Sequence, residues 1–291
     1  MTATSLGVRR GAPVLRGRVP PTALALILAS AATHATWNAL LKRSRDTAAA
    51  AAVLVALAAS LSAAIAVATG TAHLPRLAIP WAFASAAVEA VYFATLAAAM
   101  ARLPLGTAYG VARGGGQLLT WPLSILLLGE AVSLTSVIGA ALITVGLLST
   151  ARGGGRGLLW AVACACAIGL YPLTYKRALA EGAPEAALFA VSLCFSLPLQ
   201  IVLLGRTRWT RLADTLRTDG RALGFGAVLC AVSFLSFLAA LEIDGAGRAS
   251  ALRNTSVLFA LIAARILGER PTARAIGGAV LIAVGAVLVV G

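Results

Sequence analysis

Apolar and polar residues follow one another along this chain in long blocks, not at the short periods of surface helices or strands. Ten apolar stretches stand at about 20–41, 47–69, 80–101, 104–128, 131–150, 157–175, 186–204, 222–241, 246–267 and 273–291, and nearly every charge falls between them. Runs of about 17–25 apolar residues are long enough to cross the hydrocarbon core of a bilayer as helices. Backbone in lipid must satisfy its own hydrogen bonds, which helices do internally. Membrane β-strands would be short and alternating, and these runs are neither. The pattern predicts an all-α polytopic membrane protein with ten transmembrane helices.

The blocks repeat. Leu128-Gly129-Glu130 returns as Leu267-Gly268-Glu269, 139 residues later. The apolar runs that follow agree in the same register at Gly139, Ala140, Leu142, Ile143, Val145 and Gly146. Likewise Lys42-Arg43, ending the first stretch, returns as Lys176-Arg177 at the end of the sixth. The chain therefore divides into a basic tail (1–19), a first five-helix repeat (20–150), a glycine-rich linker (151–156) and a second five-helix repeat (157–291). Five crossings per copy is an odd number, so the second copy enters the bilayer from the opposite side. Such inverted repeats are characteristic of secondary transporters. Each LGE glycine is expected to close one helix and each glutamate to open the next, where negative charge suits a helix N-terminus.

Composition supports the membrane assignment. Sixty per cent of the residues are hydrophobic and 12% charged, about half the charge of a soluble domain, and mean hydropathy is +0.92. The net charge of +14 does not point to nucleic acid, because the arginines are spread through short loops instead of gathering on one soluble face. They are expected to orient helices and touch anionic headgroups. Arg9, Arg10, Arg16 and Arg18 before an apolar run imitate a secretory signal, but the first helix has a counterpart in the second half and belongs to the architecture. Cys164, Cys166, Cys194 and Cys230 all fall inside apolar stretches and are read as small packing residues. Cys164 and Cys166 point in different directions on a helix and have no histidine nearby, so no metal site is expected. With ten spans both termini share one side. The side opposite them collects more Lys and Arg, including the run Arg206–Arg221, which by the positive-inside rule leans towards termini outside.

The segment His34-Ala-Thr-Trp-Asn-Ala-Leu-Leu-Lys-Arg43, closing the first helix, resembles the opening signature of EamA-type members of the drug/metabolite transporter superfamily. Each LGE turn followed by a glycine-spaced last helix is similar to that family too. The resemblance covers the chain apart from its tail. It implies a ten-helix bundle around a central substrate cavity in the cell membrane (inner or plasma). It also implies both termini in the cytoplasm, against the charge count, and the expectation adopted here follows the family.

Titratable groups inside the spans are the candidates for chemistry, because charge in the bilayer normally faces protein or water. They are His34, Glu89, Arg113 and Arg253. On the fourth helix Tyr109, Arg113, Gln117 and Trp121 recur every fourth residue and form one polar and aromatic stripe. Gly106, Gly110 and Gly114 beside it permit close helix approach. Gly114-Gly115-Gly116 and Pro122 are expected to make this helix pliable. Arg253-Asn254 on the ninth helix fall within one residue of the position matching Arg113, so two arginines are expected to meet near the midplane. Guanidinium forks suit a carboxylate or phosphate. Arg113 pairing with Glu89 is the structural alternative. His34, Trp37 and Asn38 share a face of the first helix, and Tyr171 and Tyr175 the comparable face of the sixth. The expected substrate-binding set is Trp37, Asn38, Tyr109, Arg113, Gln117, Tyr171, Tyr175, Arg253 and Asn254, with His34 and Glu89 as proton-coupling candidates.

Neither glycine string is followed by the Lys-Ser/Thr of a phosphate-binding loop, and no nucleophile or metal-hydrolase motif appears. The reading is a secondary, non-ATP transporter working by alternating access, with no cofactor; the family resemblance implies export of a small polar or anionic solute such as an amino acid, nucleoside or organic anion. The alternative is a polytopic membrane enzyme on a lipid-linked substrate. Expected partners are a small-molecule substrate and the lipid bilayer, with a homodimer left open and no nucleic acid.

Overall fold

The computed structural model describes residues 19–129, 133–150, 155–266, 268, 270 and 272–290. Helices α1 (Pro21–Arg43), α2 (Thr47–Ala68), α3 (Ile79–Met100), α4 (Leu105–Leu128) and α5 (Leu134–Thr150) make the first half. The second half holds α6 (Arg156–Ala180), α7 (Glu185–Leu203), α8 (Arg208–Ile243), α9 (Ala246–Arg253), α10 (Ser256–Ile266) and α11 (Ala273–Val290). No strand occurs among the described residues. The apolar runs become helices, and their ends are set by local chemistry. Pro20, Pro104 and Pro184 stand at N-caps, where a missing N–H is no loss. Asp46 caps α2 by accepting from the Ala49 N–H at 3.0 Å. Gly129 (φ 71°) ends α4 and Gly268 (φ 82°) follows α10, in the left-handed conformation that favours glycine. Glu130 and Glu269, the expected helix openers, lie outside the described residues, as do most of the tail and the linker through residue 154.

Among the described residues, seven helical segments are long and apolar enough to cross a membrane: α1, α2, α3, α6, α7, α8 and the α9–α10 pair. The protein is a multi-pass membrane protein. Helix α4 is not among the seven, because Arg113, Gln117 and its glycines lower its hydropathy, and the apolar segments of α5 and α11 are shorter. Two boundaries differ from those expected. The eighth helix begins at Arg208 rather than near residue 222. At 36 residues it is about 54 Å long, so its arginine-bearing start extends beyond an apolar core of about 30 Å. The ninth stretch is two helices joined at Asn254-Thr255, where bonds run from Asn254 N–H to Ala251 O and from Thr255 N–H to Leu252 O. Helix α4 is continuous through Gly114–Gly116, and these glycines pack closely on neighbouring helices. A Cβ at Gly116 would lie 2.4 Å from Ile168 Cγ2 of α6.

The helices pack in pairs that match when the halves are exchanged. Helix α1 packs on α8 as α6 packs on α3; α2 packs on α8 as α7 packs on α3; α4 lies on α6 as α9 and α10 lie on α1. Helices α2 and α7 pack on each other, as do α5 and α11. In the last pair Gly139 faces Gly285 and Gly146 faces Gly278, so the two helices run antiparallel; a Cβ at Gly139 or Gly146 would stand 2.5 or 2.6 Å from a carbonyl oxygen of the other helix. Lipid offers helices no hydrophobic gain on association, and small residues that allow close contact supply packing instead.

Two lysines fasten helix ends in the same manner. Lys42 Nζ, on α1, donates to Met100 O at 2.6 Å and Leu103 O at 2.9 Å, closing α3. Lys176 Nζ, on α6, donates to Leu241 O and to Asp244 O (3.0 Å), closing α8. At the α1–α2 turn, Arg211 grips Asp46 with Nε at 2.7 Å and Nη2 at 2.8 Å, and this fork holds the Asp46 carboxyl below its usual range. Cys164 and Cys230 are buried as packing residues, but Cys166 and Cys194 are exposed on the outer surface, since they fall on the outward sides of α6 and α7.

Candidate functional site

Polar side chains from both halves converge in the apolar interior where α1, α3, α4, α6, α8 and α9 meet. Helical spacing selects which residues arrive there. His34, Trp37 and Asn38 share the inward face of α1, Glu89, Tyr92 and Phe93 that of α3, and Tyr109, Arg113 and Gln117 that of α4. All nine are buried. Tyr171 and Tyr175 of α6 and Arg253 and Asn254 of the α9 end are buried with them. Trp121, the last of the α4 stripe, is only half-buried and packs against Ile143, Ala251, Ala286 and Val289, apart from the polar group.

The centre is a bonded cluster. Arg253 Nη1 donates to Tyr171 Oη at 2.7 Å, and Arg113 Nη1 reaches the same oxygen at 3.5 Å. The arginines from corresponding helices thus meet at one hydroxyl. Arg253 Nη2 donates to Ser233 Oγ at 3.0 Å and lies 3.1 Å from His34 Nδ1. His34 Nε2 is 3.4 Å from Tyr92 Oη. The guanidinium of Arg253 covers Phe237 at 4.2 Å and Phe234 at 4.8 Å, a stacking that favours an arginine over a lysine. His34 and Trp37 contact edge to face, 4.9 Å between centroids.

Two groups flank the cluster. Tyr175 Oη donates to Glu89 Oε1 at 3.1 Å, and the rings of Tyr171 and Tyr175 are 6.0 Å apart, so Glu89 is linked to the arginines through two tyrosines. Glu89 makes no ion pair; among the described residues the ion pairs are Asp46–Arg211 and Asp244–Arg248. The Arg113–Glu89 pair weighed from the sequence is therefore not formed. On the other flank Asn254 Nδ2 donates to Gln117 Oε1 and Gln117 Nε2 to Gly247 O, both at 3.3 Å, joining α4 to α9. Asn38 Nδ2 donates to His34 O in its own helix at 2.7 Å.

Several buried polar atoms have no hydrogen-bond partner: Arg113 Nε and Nη2, Arg253 Nε, Glu89 Oε2, Asn38 Oδ1, Trp37 Nε1 and Ser250 Oγ. Buried polar groups are ordinarily satisfied, so these unpartnered atoms set the cluster apart from the apolar packing around it. Ser233, Phe234 and Phe237 of α8 were not singled out in the sequence. Two lysine caps reveal the signal: Met100 and Leu103 correspond to Leu241 and Asp244, an offset of 141, and the same offset sets Tyr92-Phe93 against Ser233-Phe234.

Comparison with known proteins agrees with this architecture. The model of the EamA-like transporter family matches residues 155–291, and that of the Small Multidrug Resistance protein matches residues 78–143. No curated protein matches the sequence. A solved structure described only as "Crystal structure of protein" shares the fold at a TM-score of 0.64 and 18% identity, over 91% of this chain and 96% of that one. The resemblance to EamA-type members of the drug/metabolite transporter superfamily is borne out.

Proposed function

We propose that this membrane protein, whose residues 155–291 belong to the EamA-like transporter family, is a secondary transporter that moves a small polar or anionic solute by alternating access. Ten crossings in two inverted halves are supported by the exchange symmetry of helix packing, by the antiparallel glycine contacts of α5 and α11 and by the mirrored lysine caps. We further propose, following the family resemblance, that it lies in the cell membrane with both termini in the cytoplasm.

One observation carries the functional reading. Arg113 of the first half and Arg253 of the second reach a single buried hydroxyl, that of Tyr171, in a neighbourhood of unpartnered polar atoms. A solute seated there touches both halves at once, and moving the halves relative to each other would transfer it from one side to the other. Tyr109, Gln117, Asn254, Trp37, Asn38, Tyr171 and Tyr175 supply the remaining lining. Glu89 is the coupling group, held by Tyr175 with one oxygen free.

The test is solute flux into proteoliposomes, with a metabolite panel as substrate. Wild type is expected to accelerate entry of at least one small polar solute, without chemical change, and Arg113→Gln is expected to abolish that acceleration. Conversion of substrate to a new product without flux would replace the transporter reading with the enzyme.

A further inference from the structure

The two buried arginines look equivalent in the repeat, but they are used differently. Arg253 has both terminal nitrogens engaged, with Tyr171, Ser233 and His34, and its plane is covered by Phe234 and Phe237. A guanidinium can only donate, so His34 Nδ1 accepts from it and the imidazole is neutral on that side, with its proton on Nε2 towards Tyr92. Arg253 therefore ties the end of α9 to α1, α6 and α8. Arg113 has one long bond, 3.5 Å to Tyr171, with the Tyr109 ring 5.7 Å away and a looser interaction with the Tyr109 hydroxyl. It is 3% exposed, yet its Nε and Nη2 are unpartnered.

Those two nitrogens form one edge of the guanidinium, and that edge takes two oxygens of a carboxylate or phosphate side by side. Resting on the transporter reading of this cluster, we infer that Arg113 alone is the anion-docking group, that its Nε–Nη2 edge receives an oxoanion of the solute, and that Arg253 is a structural fastening. Single-edge binding explains why the Arg113 fork is left open inside the protein while both terminal nitrogens of its counterpart are engaged. It also separates the roles of two residues that the repeat makes appear interchangeable.

Thermal unfolding of the purified protein in detergent tests this without any transport measurement. Removing an unpartnered buried charge relieves the empty protein, whereas removing a bonded one leaves its partners unsatisfied. Arg113→Gln is expected to keep or raise the melting temperature in chloride, and Arg253→Gln to lower it by several degrees or prevent folding. Sodium formate or inorganic phosphate, at matched ionic strength, is expected to raise the wild-type melting temperature above that in chloride. The rise should vanish in Arg113→Gln, and in Arg113→Lys the half-effective concentration should grow at least tenfold, since an ammonium lacks the planar edge. A larger response to formate assigns a carboxylate, and a larger response to phosphate a phosphate ester. The inference is overturned if Arg113→Gln is destabilised like Arg253→Gln, if the oxoanion response persists in Arg113→Gln, or if neither oxoanion affects wild type. Absent flux with these responses intact would overturn the transport reading and leave the site standing.

Discussion

Placing a single methyl group between α5 and α11 gives a sharp measure of how closely the halves are joined. At Gly139 a Cβ would stand 2.5 Å from Gly285 O, 2.7 Å from Val289 Cγ2 and 2.8 Å from Val289 N. Two of the three are backbone atoms, so no rotamer change makes room. Ordinary contact begins at 3.4 Å, so the helices must separate by about 0.9 Å, and a gap of that size forfeits a quarter to a half of each pairwise dispersion contact along the seam. Overpacking of this kind costs about 1–3 kcal/mol, offset in part by about 1 kcal/mol of helix propensity on replacing glycine by alanine. The net expectation for Gly139→Ala is a loss of up to about 2 kcal/mol, read as a fall of up to about 4–8 °C in melting temperature. Gly277→Ala is the control: it lies on α11 with nothing within 4 Å of its Cβ position, and it should be neutral or slightly stabilising. Gly139→Ala with Gly285→Ala should cost less than the sum of the two, because the first already separates the helices. Equal melting temperatures for the Gly139 and Gly277 variants would refute the close seam.

Two further outcomes are expected. Arg211 lowers the Asp46 carboxyl below its ordinary range, so this pair stabilises the fold fully above about pH 4 and less as pH falls through the depressed value. Both partners are about a third exposed, which limits the effect to about 0.5–1 kcal/mol; a melting temperature whose acid decline is unchanged in Asp46→Asn would exclude it. Glu89→Gln retains an oxygen for the Tyr175 hydroxyl but cannot exchange a proton, so transport should become independent of a pH gradient while expression holds. Retained dependence, measured as uptake against imposed ΔpH, would remove Glu89 from the coupling role.

Most helix ends were legible because proline, glycine and charge mark them in sequence. What escaped did so for physical reasons. Hydropathy locates the part of a helix in lipid, so the arginine-rich start of α8 ahead of residue 222 left no trace in it. The turn at Asn254-Thr255 is written in a polar trio, Arg253-Asn254-Thr255, which equally suits a helix face lining a cavity. At the centre, spacing brought His34, Arg113, Tyr171 and Arg253 together correctly. It could not show that Phe234 and Phe237 lie against the Arg253 guanidinium, since phenylalanine in an apolar run looks the same whether it meets lipid or a cation. Nor could it show that Arg113 avoids Glu89, which depends on how α3 and α4 are rotated about their axes.

The break between α9 and α10 has a consequence for direction. Under the proposed mechanism, opening to one side is opening to the other with the halves exchanged, and two identical halves would make those forms equal in energy. Helix α4 is unbroken while its counterpart is interrupted beside Arg253, so the degeneracy is lifted. The empty molecule then has a preferred resting orientation, and its rates of loading from the two sides differ. Net direction is still set by the solute and ion gradients, because a passive carrier cannot act as a rectifier at equilibrium; but the side on which it waits is written into that one interrupted helix.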